Sequence, residues 1–235
     1  MNRLLRLELG RYYSSAMGIA LATFTAMLGF LYFFALVGKM DQDPANAMFR
    51  QYSAVFAMSF TISMCVAVIY GAVVYARFIV TDYVGNRRIQ LYTYPLGRKT
   101  LFLAKNIACA SVQLAATFLG LLVATCVFFL SEAFSPLVEG KAGSILWIEV
   151  LLKVVVVTFL ALALSLISGI VGMWRRSVIT TIIVAILAVC MAGNIIAFSL
   201  NASVVYSAIA TAVAAIVAVT MVAACSKHIA TDEVL

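Results

Sequence analysis

The chain has 235 residues, of which 65% are hydrophobic and only 11% are charged, and its formal net charge is +7. Soluble globular domains contain about 25% charged residues, so this composition excludes a water-soluble enzyme or binding module. Its high hydrophobicity also excludes a disordered chain. The only prolines, Pro44, Pro95 and Pro136, lie between apolar stretches, which favours an all-α membrane protein over a β-barrel. The positive charge is explained by its placement across a bilayer rather than by binding to nucleic acid.

The N-terminal segment, residues 1–14, mixes leucines with Arg3, Arg6 and Arg11. This composition predicts an interfacial elbow helix that lies on one membrane leaflet. The alternative is a basic flank that only sets the orientation of the first span. The apolar stretch that follows is longer than the roughly 7–15 residues of a signal-peptide core, so we expect it to be retained.

Six transmembrane helices are predicted in a single domain that covers residues 1–235, because each span needs about 20 apolar residues. The uncharged stretch 177–226 is too long for one span, and a turn at 199–203 divides it into two. A turn at Gly193–Asn194 would leave the fifth span too short. The predicted spans are 16–37, 53–79, 101–130, 145–174, 177–198 and 204–225.

Lysine and arginine residues divide unevenly between the two sides of this arrangement. The segments on the side of the two termini hold 12 of the 16 Lys and Arg residues, and the opposite segments hold 4. Short loops rich in Lys and Arg stay in the cytoplasm. We therefore predict a multi-pass protein of the bacterial cell membrane with both termini in the cytoplasm.

The sequence lacks the patterns typical of enzymes. The phosphate loop of ATPases, G-x-x-x-x-G-K-[ST], is absent, and its nearest match, Gly140-Lys141-Ala142, lacks the Ser or Thr. The only histidine, His228, lies beyond the last span, which argues against a serine–histidine dyad or a zinc motif. The five cysteines lie singly in apolar stretches and are interpreted as small hydrophobic residues. We predict no catalytic residue, metal site or cofactor in this chain.

Glu149 and Lys153 are the only charges inside a predicted span apart from Arg77 and Lys105, which lie near the cytoplasmic ends of theirs. They are four residues apart and therefore share one helix face. The simplest interpretation is a self-neutralised pair at the outer interface, and the alternative is a gate or a contact with a transported molecule. Asn194, in the fifth span, is a further candidate for lining a pathway. Because no ionisable residue lies near mid-membrane, an ion-coupled carrier is not favoured.

The segment between the second and third spans, residues 80–100, combines aromatic and basic side chains. Thr81 or Asp82 is a suitable cap for the start of a helix, and Pro95 and Gly97 would end that helix. A short amphipathic helix of this kind in the cytoplasm is suited to a groove on a partner protein. Tyr83 and Tyr92 are the candidate anchors. The full set of candidate contact residues is Asp82, Tyr83, Arg87, Arg88, Leu91, Tyr92 and Tyr94.

This segment resembles the permease subunits of ABC-2 type ABC transporters. Members of that family typically show an acidic residue after the second span, basic residues, a pattern close to I-x-L-[FY]-x-Y-P-[IL]-[SG]-R, and a lysine that opens the third span. The corresponding residues are Asp82, Arg87-Arg88-Ile89, Gln90-Leu91-Tyr92, Tyr94-Pro95-Leu96-Gly97-Arg98 and Lys105. Asp82 stands where the family more often has Glu, and Gly97 where it more often has Ser.

The resemblance implies half of a twelve-helix export pathway, coupled through this helix to a separate ATPase subunit that carries the ATP and magnesium. A second permease, identical or related, and membrane lipid are the other implied partners. Compact permeases of this length resemble exporters of antimicrobial peptides, phenol-soluble modulins and lantibiotics. An amphipathic peptide or toxin is therefore the favoured substrate, in an export or immunity role. The alternatives are an exporter of a drug or lipid-like molecule and the substrate-binding membrane subunit of a vitamin-uptake system.

Overall fold

The computed structural model of the chain describes residues 2–40, 51–84, 97–134, 137–138 and 144–231. Every regular element in these ranges is a helix. Six of the helices are long and apolar enough to cross a membrane, which confirms the predicted all-α fold with six spans. They are α1 (Asn2–Met40), α2 (Tyr52–Tyr83), α3 (Arg98–Phe134), α4 (Ser144–Trp174), α5 (Val178–Ala202) and α6 (Val204–Thr231).

The first helix, α1, is one uninterrupted helix of 39 residues. At 1.5 Å per residue it is roughly 58 Å long, about twice the thickness of a ~30 Å hydrocarbon core. The N-terminal segment is helical, as predicted. Because no break separates it from the first span, the prediction of a separate elbow helix is corrected to one continuous helix. The physical reason is local, because no proline follows the basic residues and the single Gly10 is tolerated within a helix.

The second helix changes its winding near its C-terminal end. Its three successive parts are the α-helix Tyr52–Tyr75, the π-helical turn Ala76–Val80 and the α-helical turn Thr81–Tyr83. Val80 is already helical and Val84 is extended. Thr81 and Asp82 therefore end the second span, which corrects the prediction that one of them caps a new helix. The remainder of the predicted coupling helix, residues 85–96, lies outside the described residues.

The centre of the bundle is formed around α2, the most buried helix, which packs against α1, α4 and α5. The most extensive contact joins α1 to α3. By contrast, α5 and α6 are the least buried helices, and they direct large apolar side chains such as Met191, Phe198 and Ile216 outward. In a membrane, faces of this kind contact lipid or another subunit.

Two glycines allow the helices to approach closely. A Cβ at Gly120 would lie 2.7 Å from the carbonyl oxygen of Ala20, where α3 crosses α1. A Cβ at Gly169 would lie 2.3 Å from the ring of Tyr75, where α4 meets α2. Small residues at such crossings let neighbouring helix backbones come together.

Short connections join α4, α5 and α6. Arg176, between α4 and α5, has a left-handed φ of 49°, and the Ser177 hydroxyl then accepts a hydrogen bond from the Thr180 amide at 3.3 Å as the cap of α5. Between α5 and α6 the chain is extended at Ser203. This turn lies within the predicted range 199–203.

Candidate functional site

Most of the described lysine and arginine residues lie at one end of the bundle, which we call the basic end. The antiparallel order of the helices brings together there the starts of α1, α3 and α5 and the ends of α2, α4 and α6. The lysine and arginine residues in these parts whose side chains the structure describes are Arg11, Arg77, Arg98, Lys99, Lys105, Arg175, Arg176 and Lys227.

At the basic end, the carboxylate of Asp82 joins three helices. Asp82 lies at the end of α2 and is 8% exposed. Its Oδ2 accepts hydrogen bonds from the Nζ of Lys105 on α3 and from the Nη1 of Arg11 on α1, the latter at 3.4 Å. Lys105 is 3% exposed, and a lysine buried this deeply is stable only when its charge is paired. We refer to these three residues as the Asp82 cluster.

An aromatic ring extends the Asp82 cluster along α2. The guanidinium groups of Arg11 and Arg77 each lie 5.5 Å from the centroid of the Phe78 ring, within the distance of a cation–π interaction. The ring of Tyr12 packs on the same phenylalanine, with 4.8 Å between centroids. These contacts attach the first helix to the end of the second through apolar surface as well as charge.

The π-helical turn Ala76–Val80 sets the direction of the residues that follow it. Such a turn inserts about one extra residue into the helix, which rotates every later residue by roughly 100° around the axis. The hydroxyl of Thr81 donates to the carbonyl of Ala76 at 2.9 Å and stabilises this wider turn. The rotation brings Asp82 to the face that meets α1 and α3.

Tyr83 faces the interior of the bundle. Its ring is buried and packs edge-on against Phe102 of α3, with 5.6 Å between centroids. The contact with Phe102 holds the end of α2 against α3. The predicted role of Tyr83 as an anchor for the ATPase stays a prediction. The other predicted contact residues, Arg87, Arg88, Leu91, Tyr92 and Tyr94, lie outside the described residues.

A buried tyrosine connects the next layer of the bundle. The hydroxyl of Tyr75 on α2 donates to the Oδ1 of Asn106 on α3 at 2.6 Å, and the Nδ2 of Asn106 donates to the carbonyl of Phe102 at 3.0 Å. The tyrosine ring occupies the space above Gly169 on α4. The end of α2 is thereby fixed to α3 and α4 as well as to α1.

Residues 9–193 match the family model described as ABC-2 family transporter protein, which covers most of the chain. The chain belongs to this family. It is also 24% identical over 172 residues to Uncharacterized protein YcbO of Bacillus subtilis (strain 168), a match that covers 73% of this chain and 74% of that protein. No solved structure has significant similarity to this chain. The resemblance based on the segment after the second span is confirmed.

Family membership and the six apolar helices together make the chain an integral membrane permease of an ABC transporter. The family implies an ABC ATPase as a partner on a separate subunit. The matched range extends from α1 into α5, so it includes the Asp82 cluster and the Tyr75 layer.

The permease forms the predicted ion pair between Glu149 and Lys153, at a distance of 2.7 Å within α4. Lys153 is 1% exposed, whereas the side chain of Glu149 is 44% exposed. The pair therefore neutralises a lysine that is buried between the helices of the bundle, and its predicted position at the outer interface stays a prediction. A role for this pair as a gate stays a prediction.

Asn194 lies on the outward-facing surface of α5, next to the exposed Ile195. It does not face the interior of this ABC-2 permease subunit. A pathway enclosed by this subunit alone would therefore not include Asn194. Its proposed contact with a transported molecule stays a prediction.

All five cysteines of the permease are free thiols. Cys109 and Cys225 are buried, whereas Cys190 is exposed on α5. Among the residues that the structure describes, no three His, Cys, Asp or Glu side chains converge on a possible metal position.

Sequence reasoning missed the role of Arg11, which it interpreted as part of the basic N-terminal segment. It also missed Tyr52 and Glu132, which lie at the opposite end of the bundle. There the hydroxyl of Tyr52 donates to Glu132 at 3.1 Å, and Glu132 also accepts from the amide of Leu137 at 3.0 Å. A usable signal was the scarcity of acids, since 9 acidic residues stand against 16 basic ones. Each acid near a span end is therefore a candidate partner for a buried polar or basic group.

Proposed function

We propose that this chain is the permease subunit of an ATP-driven exporter and that residues 82–94 form the contact through which a separate ATPase subunit drives it. The Asp82 cluster is the observation that supports this proposal most directly. It fixes the first residue of that segment to α1 and α3 through buried, paired charges. A displacement of the segment would therefore act on three helices together, through a contiguous network of contacts.

In this proposal the segment has two parts. Asp82 and Tyr83 position its start against the bundle, and the residues beyond them contact the ATPase. Tyr92 is the aromatic anchor, because buried tyrosines commonly contribute much of the binding energy at protein interfaces. ATP and magnesium bind to the ATPase, and the permease contributes no catalytic residue. The remaining contact residues are Arg87, Arg88, Leu91 and Tyr94.

The proposed substrate is an amphipathic peptide or toxin that passes between two permease subunits, identical or related. The outward position of Asn194 on the little-buried helix α5 is compatible with this arrangement, because a second subunit on that face would enclose it. Glu149 and Lys153 would then lie near the exit of the pathway. A drug or a lipid-like molecule is the alternative substrate.

The orientation proposed here places the basic end in the cytoplasm. In a variant with all five native cysteines replaced, a cysteine at position 142 should react with a membrane-impermeant maleimide added to intact cells, because it lies on the outer side. A cysteine at position 85 should react only after the membrane is permeabilised. Labelling in the reverse pattern would show that the orientation is inverted.

The ATPase contact is tested by Tyr92→Ala in the full-length permease, co-expressed with an ATPase that contains a phosphate loop and is encoded beside it. The matched control is Tyr206→Ala, which removes an exposed tyrosine at the other end of the bundle. Loss of an anchor of about 2 kcal/mol should weaken ATPase binding by about 30-fold, measured by co-purification and by titration in detergent.

Both tyrosine variants should reach the membrane at the parental level and unfold at the parental temperature. Only Tyr92→Ala should lose ATPase binding and, after reconstitution, substrate-stimulated ATP hydrolysis. If Tyr92→Ala retains its ATPase as well as Tyr206→Ala does, the assignment of Tyr92 is wrong. If the parental permease binds no ATPase at all, the proposed function itself fails.

A further inference from the structure

An apolar groove lies between α3, α4 and α6 at the basic end, separate from the Asp82 cluster. Its cavity has a volume of about 430 Å³, which is within the range of roughly 300–1,000 Å³ for small-molecule sites. Leu103, Ile107 and Val219 are among the residues that form its apolar walls. Two exposed cations, Lys99 and Lys227, line its end nearest the start of α3 and the end of α6.

The length of the groove corresponds to one membrane leaflet. Along α3 its lining extends from Lys99 to Ala110, a distance of roughly 16 Å at 1.5 Å per residue. Half of a ~30 Å hydrocarbon core is about 15 Å. A groove of this length that begins at the level of the headgroups would end near the middle of the membrane.

The groove is open sideways to the membrane. Ile107 on α3 and Val219 on α6 both line it and are both exposed on the surface of the bundle. A molecule already in the bilayer can enter by lateral movement, whereas a water-soluble anion would find cationic partners only at the end with the lysines. Apolar walls with cations at one end complement a molecule with a hydrocarbon chain and an anionic head.

We propose that this groove binds one anionic phospholipid of the leaflet at the basic end. One acyl chain lies along Leu103 and Ile107, and the phosphate contacts the ammonium groups of Lys99 and Lys227. Basic pockets between transmembrane helices are a known type of site for anionic lipid headgroups. The groove is also lined by Asn106, which holds Tyr75, so the bound lipid lies next to the layer that fixes the end of α2.

The lipid site is tested with the delipidated full-length permease in detergent, by native mass spectrometry after addition of phosphatidylglycerol or phosphatidylcholine with the same acyl chains. The parent should retain one phosphatidylglycerol per chain and little phosphatidylcholine. The double variant Lys99→Gln/Lys227→Gln should bind phosphatidylglycerol about tenfold more weakly or worse, because each lysine contributes attraction to the anionic headgroup. Its matched control, Arg175→Gln/Arg176→Gln, removes the same charge at the same end and should bind like the parent.

A second pair of variants tests the apolar part of the groove without changing any charge. Ile107→Trp fills the groove and should abolish retention of the lipid, whereas Leu119→Trp, at an exposed site on α3 outside the groove, should not. Equal retention of the two lipids by the parent would overturn the proposal. An equal loss of phosphatidylglycerol binding in the arginine and the lysine double variants would also overturn it. If Ile107→Trp instead lowers the dimer fraction and leaves lipid binding unchanged, the groove belongs to the contact with a second copy of the chain.

Discussion

The two ends of the bundle each bury a lysine, but they pair its charge in different ways. At the basic end, Lys105 on α3 binds Asp82 on α2, and Arg11 on α1 binds the same carboxylate. At the opposite end, Lys153 binds Glu149, which lies one turn away on the same helix. The first arrangement fixes three helices relative to one another, whereas the second neutralises a charge without constraining a neighbour.

This contrast agrees with the division of labour proposed for the permease. The end that receives motion from an ATPase needs helices that move together, and charges shared between helices provide this. The end through which a molecule leaves needs helices that can separate, and there Glu149 and Lys153 keep their pairing when α4 moves as a unit. The exposure of the two carboxylates agrees with this division. Asp82 is buried, whereas the side chain of Glu149 is about half exposed.

The largest effect is expected from Asp82→Asn. The substitution leaves Lys105 buried without a counter-charge, which should destabilise the protein by about 3–5 kcal/mol, measured by chemical unfolding in detergent. The control is Asp82→Asn/Lys105→Gln, in which no buried charge remains. The double variant should recover most of the lost stability, and a single variant as stable as the parent would show that the interhelical pair contributes little.

A smaller effect is expected from Gly169→Ala in the layer below the Asp82 cluster. The added Cβ would lie 2.3 Å from the ring of Tyr75, whose hydroxyl is held by Asn106. Overpacking of this kind costs about 1–3 kcal/mol, which a thermal unfolding experiment in detergent would detect. The control is Gly193→Ala on α5, where nothing lies within 4 Å of the new Cβ, and this variant should be at least as stable as the parent. Equal stability of the two variants would mean that the Tyr75 ring can move to make room for the added methyl group.

The number of helices could be predicted from the sequence because the signals are local. Long apolar stretches define the spans, and the six helices of the structure correspond to them. The predicted segment boundaries were less accurate where the sequence has no residue that ends a helix. No residue between Arg11 and the first apolar stretch ends a helix, and α1 continues through both.

The Asp82 cluster could be predicted only in part, because its contacts are long-range. The resemblance singled out Asp82 and Lys105, but it did not indicate that they bind each other across 23 residues of chain. Arg11 lies 71 residues from Asp82 and has no local feature that distinguishes it from Arg3 or Arg6. The π-helical turn that aims Asp82 at these partners has no sequence signature of its own, so the inward direction of Tyr83 was not foreseen either.

The smallest effect is expected from Glu149→Gln, and this variant tests the contrast between the two ends most strictly. The side chain of Glu149 is 44% exposed, so the flexible side chain of Lys153 needs only a small movement to bring its ammonium group to the same exposed position when the carboxylate is lost. The loss of Glu149 should therefore cost only about 1 kcal/mol in the same chemical unfolding experiment. Lys153→Met, which replaces the buried charge by an apolar side chain of similar length, should be neutral or stabilising. If Glu149→Gln instead costs as much as Asp82→Asn, then Lys153 depends entirely on this one carboxylate. The pair would then be as essential to the fold as the Asp82 cluster, and the opposite end would not be the more adaptable part of the bundle.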